Sequence, residues 1–333
     1  MDNDILWVWQ SFGFSSAVDK GREIIETLGT EIKSNPRLGI IQMFGSDSGF
    51  VVSHSVAAST SGLCDAALIP EVRFSLYKLA KYIRGKMCIS RSSHNAVMVP
   101  SGLIVMAETA IPTDAVAFVC YEGMQLDNRG NEYCDEEQEQ IIEEALGDMT
   151  IIRERIQEQI PNLDWEHIRN KINLSIEELT EICKFNYLSK RDRRIQGQTN
   201  DPLRSAGLRI VSQGLQYLLE IVEPVYKGGE RSDVVQQPDW KKLRVVTNEP
   251  RHILRSSPPI SMDIITAHRL GTLAVDSAMA GYTDFMISQW LTEFVMVPLK
   301  LVVIGRKHIP ETGMFWKSIL AKTDQLPDLN IDV

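Results

Sequence analysis

The chain has 333 residues, 44% of them hydrophobic and 24% charged, enough to bury the core of one large domain or of two ordinary ones. A formal net charge of −9 excludes nucleic acid as the principal partner, so an anionic ligand would be held by local Arg and His rather than by the overall field. The cysteines Cys64, Cys88, Cys120, Cys134 and Cys183 form no C-x-x-C pair, no secretory pattern precedes residue 20, and no apolar run reaches bilayer length, so a cytosolic chain without membrane contact is expected.

From Ser15 to Ser34, Val18, Ile25, Leu28 and Ile32 recur at helical spacing between charged residues, which predicts an amphipathic helix. A strand is expected over Leu38–Phe44, then a turn bracketed by Gly45 and Gly49. A helix over Phe50–Ser59 would point its free N–H groups at that turn, a strand–turn–helix platform for phosphate. The alternation continues with a strand over Ala66–Ile69, a helix over Val72–Arg84 and a strand over Leu103–Ala107, the pattern of a parallel sheet covered on both faces. The fold class is therefore read as α/β. Between Cys120 and Gln198 the character changes: Asp135–Glu139 opens an acidic helical stretch and Lys190–Arg194 closes another. A structureless loop of that length is rare, so an inserted helical subdomain is predicted. Lys190–Arg194 reads either as a site for an anionic effector or partner, or as a solvated helix end with cations on its dipole. Further on, a helix is expected over Arg204–Glu220, a strand at Val245-Val246, and a helix over Met262–Ala280. Phe285–Ile287 and Phe294–Val297 should form a hairpin-like pair, and a short helix around Phe315, Trp316 and Leu320 should end before Pro327.

Two short segments carry groups suited to phosphoryl chemistry. In Asp2-Asn3-Asp4 one carboxylate can serve as general base for a hydroxyl while the other faces Mg²⁺; the plain alternative is a solvated acidic terminus. In Arg251-His252-Ile253-Leu254-Arg255 a His and an Arg three residues apart can grip a phosphate. Glu108 follows Ile104-Val105-Met106-Ala107, and a carboxylate buried there needs a partner, either sugar hydroxyls or a salt bridge. Gly45-Ser46-Asp47-Ser48-Gly49 contains the D-S-G of serine proteases, but it does not satisfy G-x-S-x-G and a Val/Ala-rich run follows it, so a hydrolase is set aside.

Taken in order, Asp2-Asn3-Asp4-Ile5, Ser11–Phe14 with Ala17-Val18, Leu38–Phe44 with Gly45–Phe50, Ala67–Glu71, Ile104–Glu108 and Arg251–Gly271 resemble the 6-phosphofructokinase family. The stretch Ala278–Tyr282 is similar to its long plant-type, cyanobacterial-type and pyrophosphate-dependent branch. The resemblance covers about 1–118 and 203–325 and has no counterpart of the family's Gly-Gly-Asp-Gly loop, whose glycines let backbone N–H groups approach phosphate. It implies a three-layer, parallel-sheet phosphofructokinase fold lacking its N-terminal nucleotide-binding half, with segments 1–118 and 203–333 flanking a helical insertion at 119–202.

The activity implied is phosphoryl transfer from ATP or pyrophosphate, with Mg²⁺, to the 1-hydroxyl of fructose 6-phosphate, in a homo-oligomer with no nucleic-acid or membrane partner. Residue by residue, the resemblance implies Asp2 as catalytic base, Asp4 near the metal, and Phe44, Gly45 and Glu108 against the substrate. It implies His252 and Arg255 on the 6-phosphate, and Arg37 and Arg244 reaching that phosphate from a neighbouring subunit. Ser46 stands where the bacterial pattern has Arg, so it supplies no cation beside the transferring group. Glu71 matches an effector position of the short bacterial enzymes, with a plain helix-start carboxylate as the alternative. A non-catalytic, sugar-phosphate-binding regulatory subunit is the second reading of the same residues.

Overall fold

The computed structural model describes residues 2–45, 48–90, 100–112, 114, 150–151, 153–158, 161, 164–173, 203–224 and 234–329. Its elements run α1 (Phe14–Ile32), β1 (Arg37–Met43), α2 (Phe50–Ala58), β2 (Ala66–Leu68), α3 (Leu76–Lys86), β3 (Ile89–Ser90) and β4 (Ser101–Ala107). They continue with α4 (Trp165–Ile172), α5 (Leu203–Ile221), β5 (Val234–Gln236), β6 (Arg244–Asn248), α6 (Arg251–Ser256), α7 (Ser261–Met279), β7 (Phe285–Trp290), β8 (Glu293–Pro298), α8 (Leu299–Val302) and α9 (Met314–Thr323). Two compact units interleave in sequence. The first is Met1–Val72, Ser101–Glu108 and Val246–Gln325; the second is Arg73–Pro100, Thr109–Val245 and Leu326–Val333.

The main sheet has the order β2-β4-β1-β6. Strands β1 and β4 run parallel in unbroken register from Arg37↔Ser101 to Met43↔Ala107, and β2 joins β4 in parallel from Ala66↔Ile104. Both long strands are buried at every position after the first, which is why they read as near-continuous apolar runs instead of alternating. Helix α1 lies on one face: a side chain at Gly39 of β1 would meet Ile32 and Leu28, so the glycine lets helix and strand approach closely. Helix α9 buries Trp316 and Ile319, and its Lys322 donates to the carbonyls of Ala57 and Ser59 where α2 ends. A cation there satisfies carbonyls that have no partner within the helix and complements its dipole. The α/β class and parallel sheet read from sequence are what the chain adopts.

The start of α1 shows where local sequence was insufficient. It has no acidic residue in its first turn. Its N-terminal donors are taken instead by Asp263, 250 residues away on α7, which accepts from Gly13 N and Ser16 N at 2.8 Å each and from Ser16 Oγ. Strands β7 and β8 form the expected antiparallel hairpin, longer than predicted, with six pairs from Phe285↔Pro298 to Trp290↔Glu293.

In the second unit α3 begins at Leu76, four residues later than the apolar pattern predicts. Ser75 caps it by accepting from Lys78 N, and the Asp114 carboxylate accepts from Leu76 N, Tyr77 N and Ser75 Oγ. Helix α5 packs on α3, where Gly214 leaves room for Leu76. The antiparallel pair β3–β5 was not expected from sequence. Of the predicted insertion, α4 is among the described residues, whereas Lys190–Arg194 lies outside them, as do Ser46 and Asp47. Among the described residues no helix is long and apolar enough to cross a membrane.

Candidate active site

In an open parallel sheet the crevice for ligands lies beyond the carboxyl ends of the strands. Beyond β1 stand Phe44 and Gly45, and beyond β4 stands Glu108. Glu108 is 3% exposed; its N–H donates to Met43 O at 3.0 Å, fixing it beside the end of β1. Its carboxylate faces Arg251 Nε at 3.7 Å. The Arg251 guanidinium also reaches Glu249 at 3.4 Å and donates to Gln42 Oε1 at 3.3 Å. Gln42 is fully buried, and its Nε2 has no hydrogen-bond partner among the described residues. Neither Gln42 nor Arg251 was singled out from the sequence. The available signal was a lone amide in the apolar run of β1, and an arginine directly before His252.

Gly45 turns the chain out of the sheet at φ 150°, and a Cβ there would lie 2.5 Å from Ser48 O, so only glycine makes this turn. Ser48 Oγ donates to Asp2 O at 3.1 Å, which brings Asp2 to the end of β1. Asn3 sits in the left-handed region at φ 59°, a conformation Asn tolerates better than most residues. On its two sides the acids have different fates. Asp4 Oδ2 pairs with Arg306 at 2.9 Å, and Asp4 O accepts from Lys307 N at 2.7 Å. The Lys307 ammonium donates to Val8 O at 2.7 Å and Asn3 Oδ1 at 3.3 Å; burial pushes its pKa down, with Asp4 opposing. The Asp2 carboxylate has no ion-pair or hydrogen-bond partner among the described residues.

The resemblance implied Mg²⁺ at Asp4. With its carboxylate committed to Arg306, a metal there would have to displace a guanidinium, and among the described residues no three His, Cys, Asp or Glu gather into a metal-holding group. The donor set at Asp4 does not fit the ion in this arrangement.

Helix α6 carries His252 and Arg255, both exposed. The Arg255 guanidinium lies over the Phe44 ring, 5.9 Å from its centroid, and has no carboxylate partner among the described residues. Arg37 is at the opposite end of β1, paired with Glu31 at 2.7 Å and 15% exposed. Arg244 opens β6, is exposed, and belongs to the second unit.

The phosphate platform expected at the start of α2 is closed from within. Both Glu71 oxygens accept from Gly49 N, at 3.0 and 2.9 Å, and Oε1 also accepts from Ile309 N at 3.2 Å. Glu71 therefore caps α2, a helix that precedes it, and is not the start of the helix after it. Gly49 permits this because a Cβ there would lie 2.3 Å from Ile69. A cleft of 580 Å³ opens beside Asn3, between Trp9, Phe14, Phe50, His54, Trp290 and Lys307, and none of the expected site residues lines it.

The family model described as Phosphofructokinase matches residues 1–161, the stretch that includes Asp2, Phe44, Gly45 and Glu108. The chain is similar to an ATP-dependent 6-phosphofructokinase of Borreliella burgdorferi, 24% identical over 328 residues, which are 98% of this chain and 52% of that protein. It is also similar to an ATP-dependent 6-phosphofructokinase of Amycolatopsis methanolica, 22% identical over 326 residues, 98% of this chain and 51% of the other. Among solved structures, a pyrophosphate-dependent phosphofructokinase from Marinobacter aquaeolei aligns with 93% of this chain and 52% of its own, at TM-score 0.47 and 13% identity. The chain spans about half the length of the curated relatives it matches.

Proposed function

We propose that the chain, whose residues 1–161 match the phosphofructokinase family model, carries the fructose 6-phosphate site of a 6-phosphofructokinase and takes part in phosphoryl transfer to the sugar's 1-hydroxyl. One observation carries the reading. At the carboxyl ends of β1 and β4 a buried carboxylate, Glu108, and one without a partner among the described residues, Asp2, flank a turn over whose Phe44 lies Arg255, a cation with no carboxylate partner among the described residues.

In this reading Asp2 orients the 1-hydroxyl and takes its proton as that oxygen attacks the phosphorus of the donor, ATP or pyrophosphate. The bond from phosphorus to the leaving oxygen breaks, giving fructose 1,6-bisphosphate. Glu108 accepts from sugar hydroxyls, and its burial keeps that interaction out of competition with water. Arg255 and His252 hold the 6-phosphate, for which a planar, always-charged guanidinium with no carboxylate partner among the described residues is suited. Magnesium, where it takes part, supplies charge neutralisation on the donor phosphates, and no role above depends on Asp4 holding it.

The test is calorimetry with fructose 6-phosphate on the purified chain. Arg255→Ala and His252→Ala should each weaken binding by about 1.5–3 kcal/mol, the range for hydrogen bonds to charged groups. Unchanged affinity in both variants would remove the phosphate grip from these residues.

A further inference from the structure

Gln42 presents a problem that the roles above leave unsolved. It is a fully buried amide in the second-to-last position of β1; its Oε1 accepts from Arg251, and its Nε2 has no partner among the described residues. Leaving a buried amide donor unpaired is costly, so such a group is retained where something else pairs with it. Through Arg251 it is tied to Glu108, whose carboxylate can only accept. An amide N–H that only donates and a carboxylate that only accepts, both gathered on Arg251, are together complementary to a hydroxyl, which does both at once. The pair suits a phosphate less well, because the Glu108 carboxylate repels the phosphate's negative charge.

We infer that Gln42 is a substrate-binding residue. Its Nε2 donates to the same sugar hydroxyl that donates to Glu108, so the pair reads the polyol part of the ligand. Arg251 links the two, donating to Gln42 Oε1 and facing the Glu108 carboxylate at 3.7 Å without a hydrogen bond from its Nε among the described residues. This rests on the proposed sugar-phosphate site and adds the groups that distinguish a polyhydroxylated ligand from a bare anion.

The experiment is calorimetry on the full chain with two probes, fructose 6-phosphate and inorganic phosphate. Gln42→Met keeps the side chain's length and removes both the donor and the acceptor for Arg251; Gln42→Glu keeps that acceptor, removes the donor and adds a negative charge. Both should bind fructose 6-phosphate about tenfold more weakly, the loss of one buried hydrogen bond, with affinity for inorganic phosphate unchanged. If Gln42→Glu binds the sugar phosphate as the unaltered chain does, Gln42 serves only to position Arg251 and the inference is overturned. An equal loss with inorganic phosphate also overturns it, because the effect is then not on the hydroxyl. Wild-type affinity in the Gln42 variants alongside weakened Arg255→Ala would leave the proposed site standing and remove Gln42 from it. No fructose 6-phosphate binding by the unaltered chain would defeat both readings.

Discussion

Asp2 and Asp4 are two residues apart and chemically identical, yet their surroundings give them different work. Asn3 at φ 59° separates them, Arg306 occupies the Asp4 carboxylate, and the Asp2 carboxylate has no partner among the described residues. A base must have a free lone pair directed at its proton, so of the two only Asp2 meets the requirement as the chain stands. Under the proposed function Asp2→Asn should therefore lose turnover by about 10²–10⁴-fold, the usual contribution of a general base, while fructose 6-phosphate affinity changes little. Single-turnover kinetics alongside calorimetry separates the two quantities, and equal losses in both would assign Asp2 to binding. Glu108 illustrates what sequence can reach at this scale. Its burial after four apolar residues was legible, but whether it faced a sugar or a cation was not, because Arg251 lies 143 positions away in the chain.

At the scale of elements, caps supplied from a distance hold the helices that frame the site. Asp263 ties the start of α1 to α7 by three hydrogen bonds, the two from Ser16 buried and the one from Gly13 partly so. Asp263→Ala would leave the Gly13 and Ser16 N–H groups without an acceptor and should lower stability by about 2–3 kcal/mol in urea unfolding. Asp263→Asn, which keeps one acceptor oxygen, should cost less; equal effects would mean that the carboxylate is not the stabilising group. Helix α2 carries a titrating counterpart. His54 is enclosed by Phe14, Phe50 and Phe315, with centroids 5.0, 6.1 and 4.5 Å away. Burial pushes its pKa down, opposed by its hydrogen bond to Phe50 O and reinforced by Lys307. With the native value below the unfolded one of about 6.5, unfolding takes up a proton, so this contribution is present above pH ~6.5 and is lost as pH falls through the native value. Between pH 7.5 and 5 the unaltered chain should lose more stability than His54→Phe, as measured by denaturant midpoints; parallel losses would put the pH dependence elsewhere.

For the whole molecule the decisive distance is the length of β1. Arg37 and Met43 are six steps of about 3.3 Å apart, roughly 20 Å, so Arg37 stands at the wrong end of the strand to serve its own chain's site. If it grips a sugar phosphate, that phosphate belongs to a neighbouring subunit. Met262, Ile264, Ile265, Val275 and Met279 leave an exposed apolar stripe on α7, a surface of the kind that marks an interface. Arg37→Ala should then weaken fructose 6-phosphate binding in the assembled enzyme, although its partner here is Glu31. Mixing Arg37→Ala with Asp2→Asn subunits should restore part of the activity, because an unaltered base and an unaltered arginine can meet across one interface. Mixed subunits that demonstrably exchange and show no recovery would exclude the cross-subunit role.

The sequence by itself determined the α/β class, the apolar strands β1 and β4, the amphipathic helices and the hairpin. It also indicated which residue types suit a phosphorylated sugar. These depend on periodicity and on neighbours within a few positions, which the chain states directly. Only the tertiary structure decided which groups meet: that Glu71 closes the helix start expected to face phosphate, that Arg306 takes Asp4, and that Asp263 caps α1. Each is a pairing of charge with a donor or acceptor distant in sequence, and no local pattern specifies such a partner, because it is chosen by how the layers pack. The buried, half-satisfied amide of Gln42 is the clearest case: its place in β1 could be read from the strand pattern, but that its Nε2 lacks a partner is a property of the folded surroundings alone.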